Sequence, residues 1–249
     1  MVDRYIYKKI SEHFPYKPTE EQQKAIAAIA AFAADTAPRS LLIIKGYAGT
    51  GKTSVLGAVV KALHAMERPS VLLAPTGRAA KVFAEYAERD AFTIHKKIYR
   101  QKSFSNDFGS FSLGKNLQKN TLFIVDEASM ISNESAGANA FGSGHLLDDL
   151  IEYIYEDGQG CRLILSGDSA QLPPVMLRES PALSAERLRA YGMEVREVSL
   201  TQVVRQDVDS GILFNATLIR NGLRNSETAR FPVLRVQGFA DIQKVTGED

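Results

Sequence analysis

Lys52 and Thr53 close the run Gly46-Tyr47-Ala48-Gly49-Thr50-Gly51-Lys52-Thr53, which fits G-x-x-x-x-G-K-[ST] at every fixed position. The chemistry open to such a run is the holding of a polyphosphate. Its glycines let the backbone bend until successive N–H groups converge on phosphate oxygens, and the positive end of a following helix adds to their pull. Lys52 would reach the β- and γ-phosphates, and the Thr53 hydroxyl would take a place on Mg2+. Gly46, Ala48, Gly49, Thr50, Gly51, Lys52, Thr53 and Ser54 are the expected nucleotide contacts. Downstream, Leu122-Phe123-Ile124-Val125-Asp126-Glu127 is an apolar run ending in two acids. Asp126 at that end can hold the metal with its water shell, and Glu127 can orient and deprotonate an attacking water. A third stretch, Ser166-Gly167-Asp168-Ser169-Ala170-Gln171, offers Gln171 to a γ-phosphate or to that water. Taken as residues alone, it fits a capped turn equally well.

The elements that must position these groups alternate along the chain. Thr19 caps an expected helix over 19–34, with Gln22 three residues on and an apolar stripe of Ala25, Ile26, Ile29, Ala30, Phe32 and Ala33. Short apolar runs at 41–45, 71–74, 121–125, 162–166 and 195–199 read as strands, with helical stretches at 53–66, 78–88 and 145–155 between them. That alternation predicts an α/β fold with a parallel sheet flanked by helices. Two stretches break the rhythm. Residues 97–119 interleave Phe104, Phe108 and Phe111 with polar residues and predict an inserted β-hairpin turning near Phe108. Residues 133–144 are small and polar and read as a mobile loop.

The chain of 249 residues is 45% hydrophobic and 24% charged, with a net charge of +1, so any nucleic-acid partner must be argued from a local site. Its single cysteine, Cys161, excludes an internal disulfide and a cysteine-rich metal site and reads as a small core residue. The first residues lack a signal-peptide core and no apolar run approaches membrane-spanning length, so a cytoplasmic protein is expected.

In order, these segments resemble the N-terminal motor lobe of superfamily 1 DNA helicases, the RecD-like branch that includes the Dda-type enzymes. Thr19-Glu20-Glu21-Gln22 resembles the Q motif, and residues 46–53 are similar to motif I. Leu73-Ala74-Pro75-Thr76-Gly77-Arg78-Ala79-Ala80 resembles motif Ia, and Thr93-Ile94-His95 the element after it. Residues 125–130 resemble motif II, Gly167 to Val175 motif III, and Leu200-Thr201-Gln202-Val203-Val204-Arg205-Gln206 motif IV. The resemblance implies a RecA-like P-loop NTPase lobe that uses ATP and Mg2+ and acts on single-stranded DNA and duplex junctions with 5′→3′ polarity. It implies that Gln22 reads the adenine edge and that Arg205 contacts the γ-phosphate. Thr76, Gly77, Arg78, Thr93 and His95 become candidates for lining the DNA strand, although Arg78 and Lys81 fit a solvated helix face equally well. In the family an inserted hairpin splits duplex, which makes Phe108 the candidate strand-separating residue.

The chain also departs from the family. Only 44 residues follow Arg205, whereas a second lobe needs roughly 100–150, and motifs V and VI are not among them. The expected organisation is a motor lobe over 1–225, followed by the start of a connection, over 226–249, to a second lobe outside this chain. A motor half alone is expected to hydrolyse ATP slowly, because an arginine finger is worth about 10³–10⁵ in rate. A monomer is the expectation from the resemblance. Two other readings stay open from sequence: an RNA helicase of the same superfamily, and a nucleotide-gated nucleic-acid-binding scaffold.

Overall fold

The computed structural model describes residues 1–101, 111–133, 141–174, 177, 179–204, 210–224 and 233–243. In chain order the helices are α1 (Val2–His13), α2 (Glu20–Ala34), α3 (Lys52–Ala65), α4 (Gly77–Ala87), α5 (Ile94–Ile98), α6 (Leu146–Tyr155), α7 (Ala185–Ala190) and α8 (Gly211–Arg224). The strands are β1 (Ser40–Gly46), β2 (Ser70–Ala74), β3 (Ala91–Thr93), β4 (Tyr99–Gln101), β5 (Phe111–Leu113), β6 (Leu122–Val125), β7 (Arg162–Gly167) and β8 (Glu194–Leu200). The chain divides into two compact units, Met1–Val203 and Val204–Asp249. Helix α8, placed in the first lobe by the sequence reading, lies in the second unit.

Six strands of the first unit form one sheet in the order β3-β2-β6-β7-β1-β8, every pair parallel. Parallel strands need crossovers, and the helices that supply them cover both faces, so the central strands carry apolar runs, with polar residues at the ends of β1 and β7. All residues of β6 and β7 are buried, and along β1 alternate side chains enter opposite cores. Leu42 and Ile44 join Ile26, Ile29, Phe32, Val59 and Phe83 on the side of α1 to α4. Leu41 and Ile43 join Ile98, Phe123, Leu147, Ile154 and Leu165 on the side of α5 and α6. The five strands expected from sequence are all in this sheet, and β3 extends it at one edge.

Helix α1 has no counterpart in the sequence expectations. Its polar sequence buries only Ile6 and Ile10, one turn apart, and that is enough to dock it on the core beside α2. Strands β4 and β5 pair antiparallel inside the stretch expected to form a hairpin, in the register Tyr99 to Leu113 and Gln101 to Phe111. The tip expected at Phe108, and residues 134–140 of the expected loop, lie outside the described residues.

In the second unit α8 is started by a distant carboxylate. Asp241 accepts hydrogen bonds from Gly211 N at 2.8 Å and Ser210 Oγ at 2.7 Å. Asn215 exchanges hydrogen bonds with the Arg235 backbone, which holds residues 233–243 along the helix.

Candidate nucleotide-binding site

Strand β1 ends at Gly46, between β7 and β8, so the loop at 47–51 emerges at the carboxyl edge of the sheet beside the ends of both neighbours. This is where open α/β sheets place their ligands. The loop bends through two left-handed glycines, Gly49 (φ 80°) and Gly51 (φ 83°), before α3 begins at Lys52. A side chain at Gly51 would be strained by that φ and would sit 2.6 Å from Gln22 Nε2. Val55 N bonds to Gly51 O at 2.9 Å, which starts the helix with its positive end facing the loop.

Lys52 is buried and turned back over its own loop. Its Nζ donates to Gly46 O at 2.6 Å and Tyr47 O at 2.9 Å, so the ammonium is held at the concave side of the bend. Thr53 Oγ1 donates to Asp126 Oδ2 at 2.8 Å. The other carboxylate oxygen of Asp126 accepts from Ser166 Oγ and from Glu127 N, each at 3.0 Å. Asp126 is therefore fixed from three sides, with an acid and a hydroxyl side by side at the start of α3. Two oxygens of this kind suit a hard divalent cation that fills its remaining positions with water and phosphate oxygens. Among the described residues no group of three or more His, Cys, Asp or Glu could hold a metal ion.

Glu127 follows in the left-handed region (φ 55°), a conformation uncommon for a non-glycine residue. Burial, reinforced by the charge of Asp126, pushes its carboxyl above the usual range; Lys52 and a hydrogen bond from Gln171 pull the other way. A carboxylate raised toward neutrality is better matched to accepting a proton from water. Gln171 is kept close by Ser129 Oγ, which donates to its Oε1 at 3.1 Å. A cavity of about 280 Å³ opens here, lined by Ser129, Asp168, Gln171 and Glu179 among others.

Gln22 serves the loop from α2. Its Oε1 accepts from Thr19 N at 3.0 Å while Gln22 N donates to Thr19 Oγ1 at 3.2 Å, a reciprocal cap at the helix start. Its Nε2 donates to Thr50 O at 3.0 Å. Each end of the amide keeps one further hydrogen-bonding position.

Sequence reasoning assigned no role to Asp168 or Ser166. Asp168 is buried, and its Oδ2 accepts from Ala48 N at 2.9 Å while Oδ1 accepts from Ala170 N at 2.8 Å. It thus ties the β7 exit to the phosphate loop. The available signal was an acid directly after a buried strand, but its target depends on β7 being the neighbour of β1.

The candidates away from this site fall into two groups. Thr76 caps α4 by accepting from Ala79 N, and Thr93 caps α5 by accepting from Lys96 N, each at 3.2 Å. Gly77 and Arg78 are exposed at the start of α4. His95 is half-buried against Tyr99 and Phe141, with ring centroids 5.6 and 5.1 Å away, and burial lowers its pKa. A neutral imidazole in an aromatic cluster offers no charge to a phosphate at pH 7. Arg205 and Phe108 lie outside the described residues.

A family model described as an AAA domain matches residues 17–232. The chain belongs to this AAA domain family. This AAA domain is 29% identical over 174 residues to the ATP-dependent RecD2 DNA helicase of Deinococcus radiodurans, which covers 70% of the chain and 21% of that relative. It is 29% identical over 185 residues to the ATP-dependent DNA helicase dda of Enterobacteria phage T4, covering 73% of the chain and 38% of that relative. Among solved structures, the Pif1 helicase from Candida albicans shares the fold at a TM-score of 0.52 and 20% identity, over 87% of this chain and 49% of that one. The AAA domain thus resembles, at the sequence level, parts of RecD2 and dda, shares the fold of Pif1, and spans 21% and 38% of the two curated relatives. No described helix is long and apolar enough to cross a membrane.

Proposed function

We propose that this lobe is the ATP-binding half of a 5′→3′ DNA helicase motor that works in the cytoplasm and closes on a second RecA-like lobe. The observation that carries the reading is the fixed contact of Thr53 with Asp126 at the mouth of the phosphate loop, with Glu127 next to it. Thr53 and Asp126 would hold Mg2+, which supplies Lewis-acid polarisation of the phosphoryl oxygens when bound. Lys52, already at the concave side of the loop, would exchange its contacts with the Gly46 and Tyr47 carbonyls for phosphate oxygens. Ala48 N would likewise leave Asp168. Glu127 would accept the proton of the attacking water, with Gln171 keeping its carboxylate in place. The spare hydrogen-bonding positions of Gln22 suit the edge of an adenine ring. The exposed start of α4, with Thr76, Gly77 and Arg78, suits a backbone phosphate of single-stranded DNA. Arg205 and Phe108 keep the roles that the family resemblance gives them.

Mg2+-dependent binding of ATP by the 249-residue chain, followed by fluorescence of a labelled analogue, tests the nucleotide part. Binding that weakens in Lys52→Ala is expected; binding indifferent to Lys52 or to Mg2+ would overturn it. Anisotropy with labelled single strands tests the partner, and RNA bound more tightly than DNA would redirect the assignment to an RNA helicase.

A further inference from the structure

The first turn of α2 holds a carboxylate that the nucleotide site does not use. Glu21 accepts three hydrogen bonds from one short stretch, at 2.5 Å from Thr201 N, 2.6 Å from Thr201 Oγ1 and 2.7 Å from Gln202 N. Burial raises the pKa of this carboxyl, but the three hydrogen bonds outweigh it and the net shift is downward. Three donors on one carboxylate make a specific grip rather than an incidental surface contact. The gripped stretch leaves the end of β8, and Val203, one residue on, is the last of the first compact unit.

The same helix turn and the same strand end also touch the phosphate loop. Gln22, adjacent to Glu21, donates to Thr50 O, and the space beside Gly51 is filled by the Gln22 amide. From the other side, Tyr47 N donates to Leu200 O at 3.3 Å, and a side chain on Gly46 would lie 3.0 Å from Leu200 Cβ. The loop and the chain exit therefore share two supports, the start of α2 and the end of β8. A shift of residues 47–51 cannot leave the turn carrying Glu21 untouched, because Gln22 is buried and both ends of its amide are engaged.

We propose that Glu21 is a positioning residue that couples the state of the phosphate loop to the segment Thr201–Gln202, so that nucleotide binding is relayed to the chain as it leaves the lobe. The proposal rests on the nucleotide reading above. Glu21 touches neither substrate nor metal in this scheme; it acts through the backbone it holds.

Amide hydrogen exchange of the 249-residue chain, with and without Mg-ADP and a non-hydrolysable Mg-ATP analogue, tests the relay. In the wild type, bound nucleotide should change the exchange of the Thr201 and Gln202 amides. In Glu21→Gln and Glu21→Ala those amides should exchange about ten- to a hundred-fold faster, the scale of losing a hydrogen bond to a charged group, and their response to nucleotide should vanish. Nucleotide affinity in both variants should stay within about threefold of wild type, since Lys52, Thr53 and Asp126 are untouched. Thr201→Val, which removes one of the three donors and leaves the backbone pair, should give an intermediate response and guards against a folding defect in the Glu21 variants. Nucleotide binding with unchanged exchange at 201–202 would overturn the relay alone. Failure of the wild type to bind nucleotide would overturn the nucleotide reading and the relay with it.

Discussion

The turns that follow β1 and β2 solve the same geometrical problem with different results. Each takes the chain from a buried parallel strand into the positive end of a helix at the same edge of the sheet. After β1 the chain spends residues 47–51 on a bend with two left-handed glycines, buries a lysine inside it, and offers Ala48 N to a carboxylate. After β2 it spends only Pro75 and Thr76, and Thr76 caps α4 in extended conformation. The first turn is a closed cradle, and the second is a bare helix end with Gly77 and Arg78 facing solvent. A helix N-terminus alone attracts an anion; loop length, an inward cation and an acid–hydroxyl pair are what make it a polyphosphate and metal site.

The comparison can be broken in several ways. The largest expected effect is at Glu127, where Glu127→Gln should lower kcat for ATP hydrolysis about 10²–10⁴-fold with nucleotide binding retained, measured by phosphate release in the full motor assembly. Lys52→Ala should lower turnover about 10²–10³-fold and also weaken binding, which separates the cradle from the base. A glycine pair tests the two turns directly. Gly51→Ala should destabilise the fold by about 1–3 kcal/mol in thermal unfolding, because of its left-handed backbone and the crowding by Gln22. Gly77→Ala should stay within about 0.5 kcal/mol, since an added side chain there meets nothing within 4 Å. Equal effects of the two substitutions would erase the distinction.

Acidity sharpens the same contrast. Turnover should rise with pH as Glu127 ionises, at a pH above the ordinary carboxylate range because burial and Asp126 raise its pKa. Lys52 pulls that pKa down, so in Lys52→Ala the rise in residual activity should move to higher pH. The smallest effect concerns His95. Its folded pKa lies below its unfolded value, so the unfolded chain binds more protons between the two, and stability should fall as pH drops below about 6.5. Melting curves of wild type and His95→Gln across pH 5–8 check this, and the variant should show the shallower dependence.

The cradle was legible in sequence because its parts are contiguous: glycines, lysine and threonine at fixed spacing read directly as a bend, a cation and a hydroxyl. The central strands were legible for a similar reason, since parallel strands buried on both faces carry runs of apolar residues, whereas the edge strand β8 shows only the spaced Val195, Val198 and Leu200. Asp168 and Glu21 were not legible, because each acts on a segment brought near only by strand order. Gln22 was assigned to adenine, yet two of its hydrogen bonds serve the cap and Thr50 O, contacts that need the packed loop to be seen. Helix α1 was missed because two buried isoleucines make too narrow a stripe to stand out.

Tyr99 and Phe111, on the paired strands β4 and β5, both lean on Phe141, and Tyr99 OH donates to the buried Asp149 of α6 at 2.6 Å. Strands of three residues would not hold as a free ribbon. The hairpin base is therefore mechanically continuous with α6, which packs on β7, the strand that ends at Ser166 and Gly167. Loss of the Tyr99 hydroxyl, as in Tyr99→Phe, would therefore loosen the hold of the paired strands on α6 and leave Asp149 with one hydrogen bond fewer.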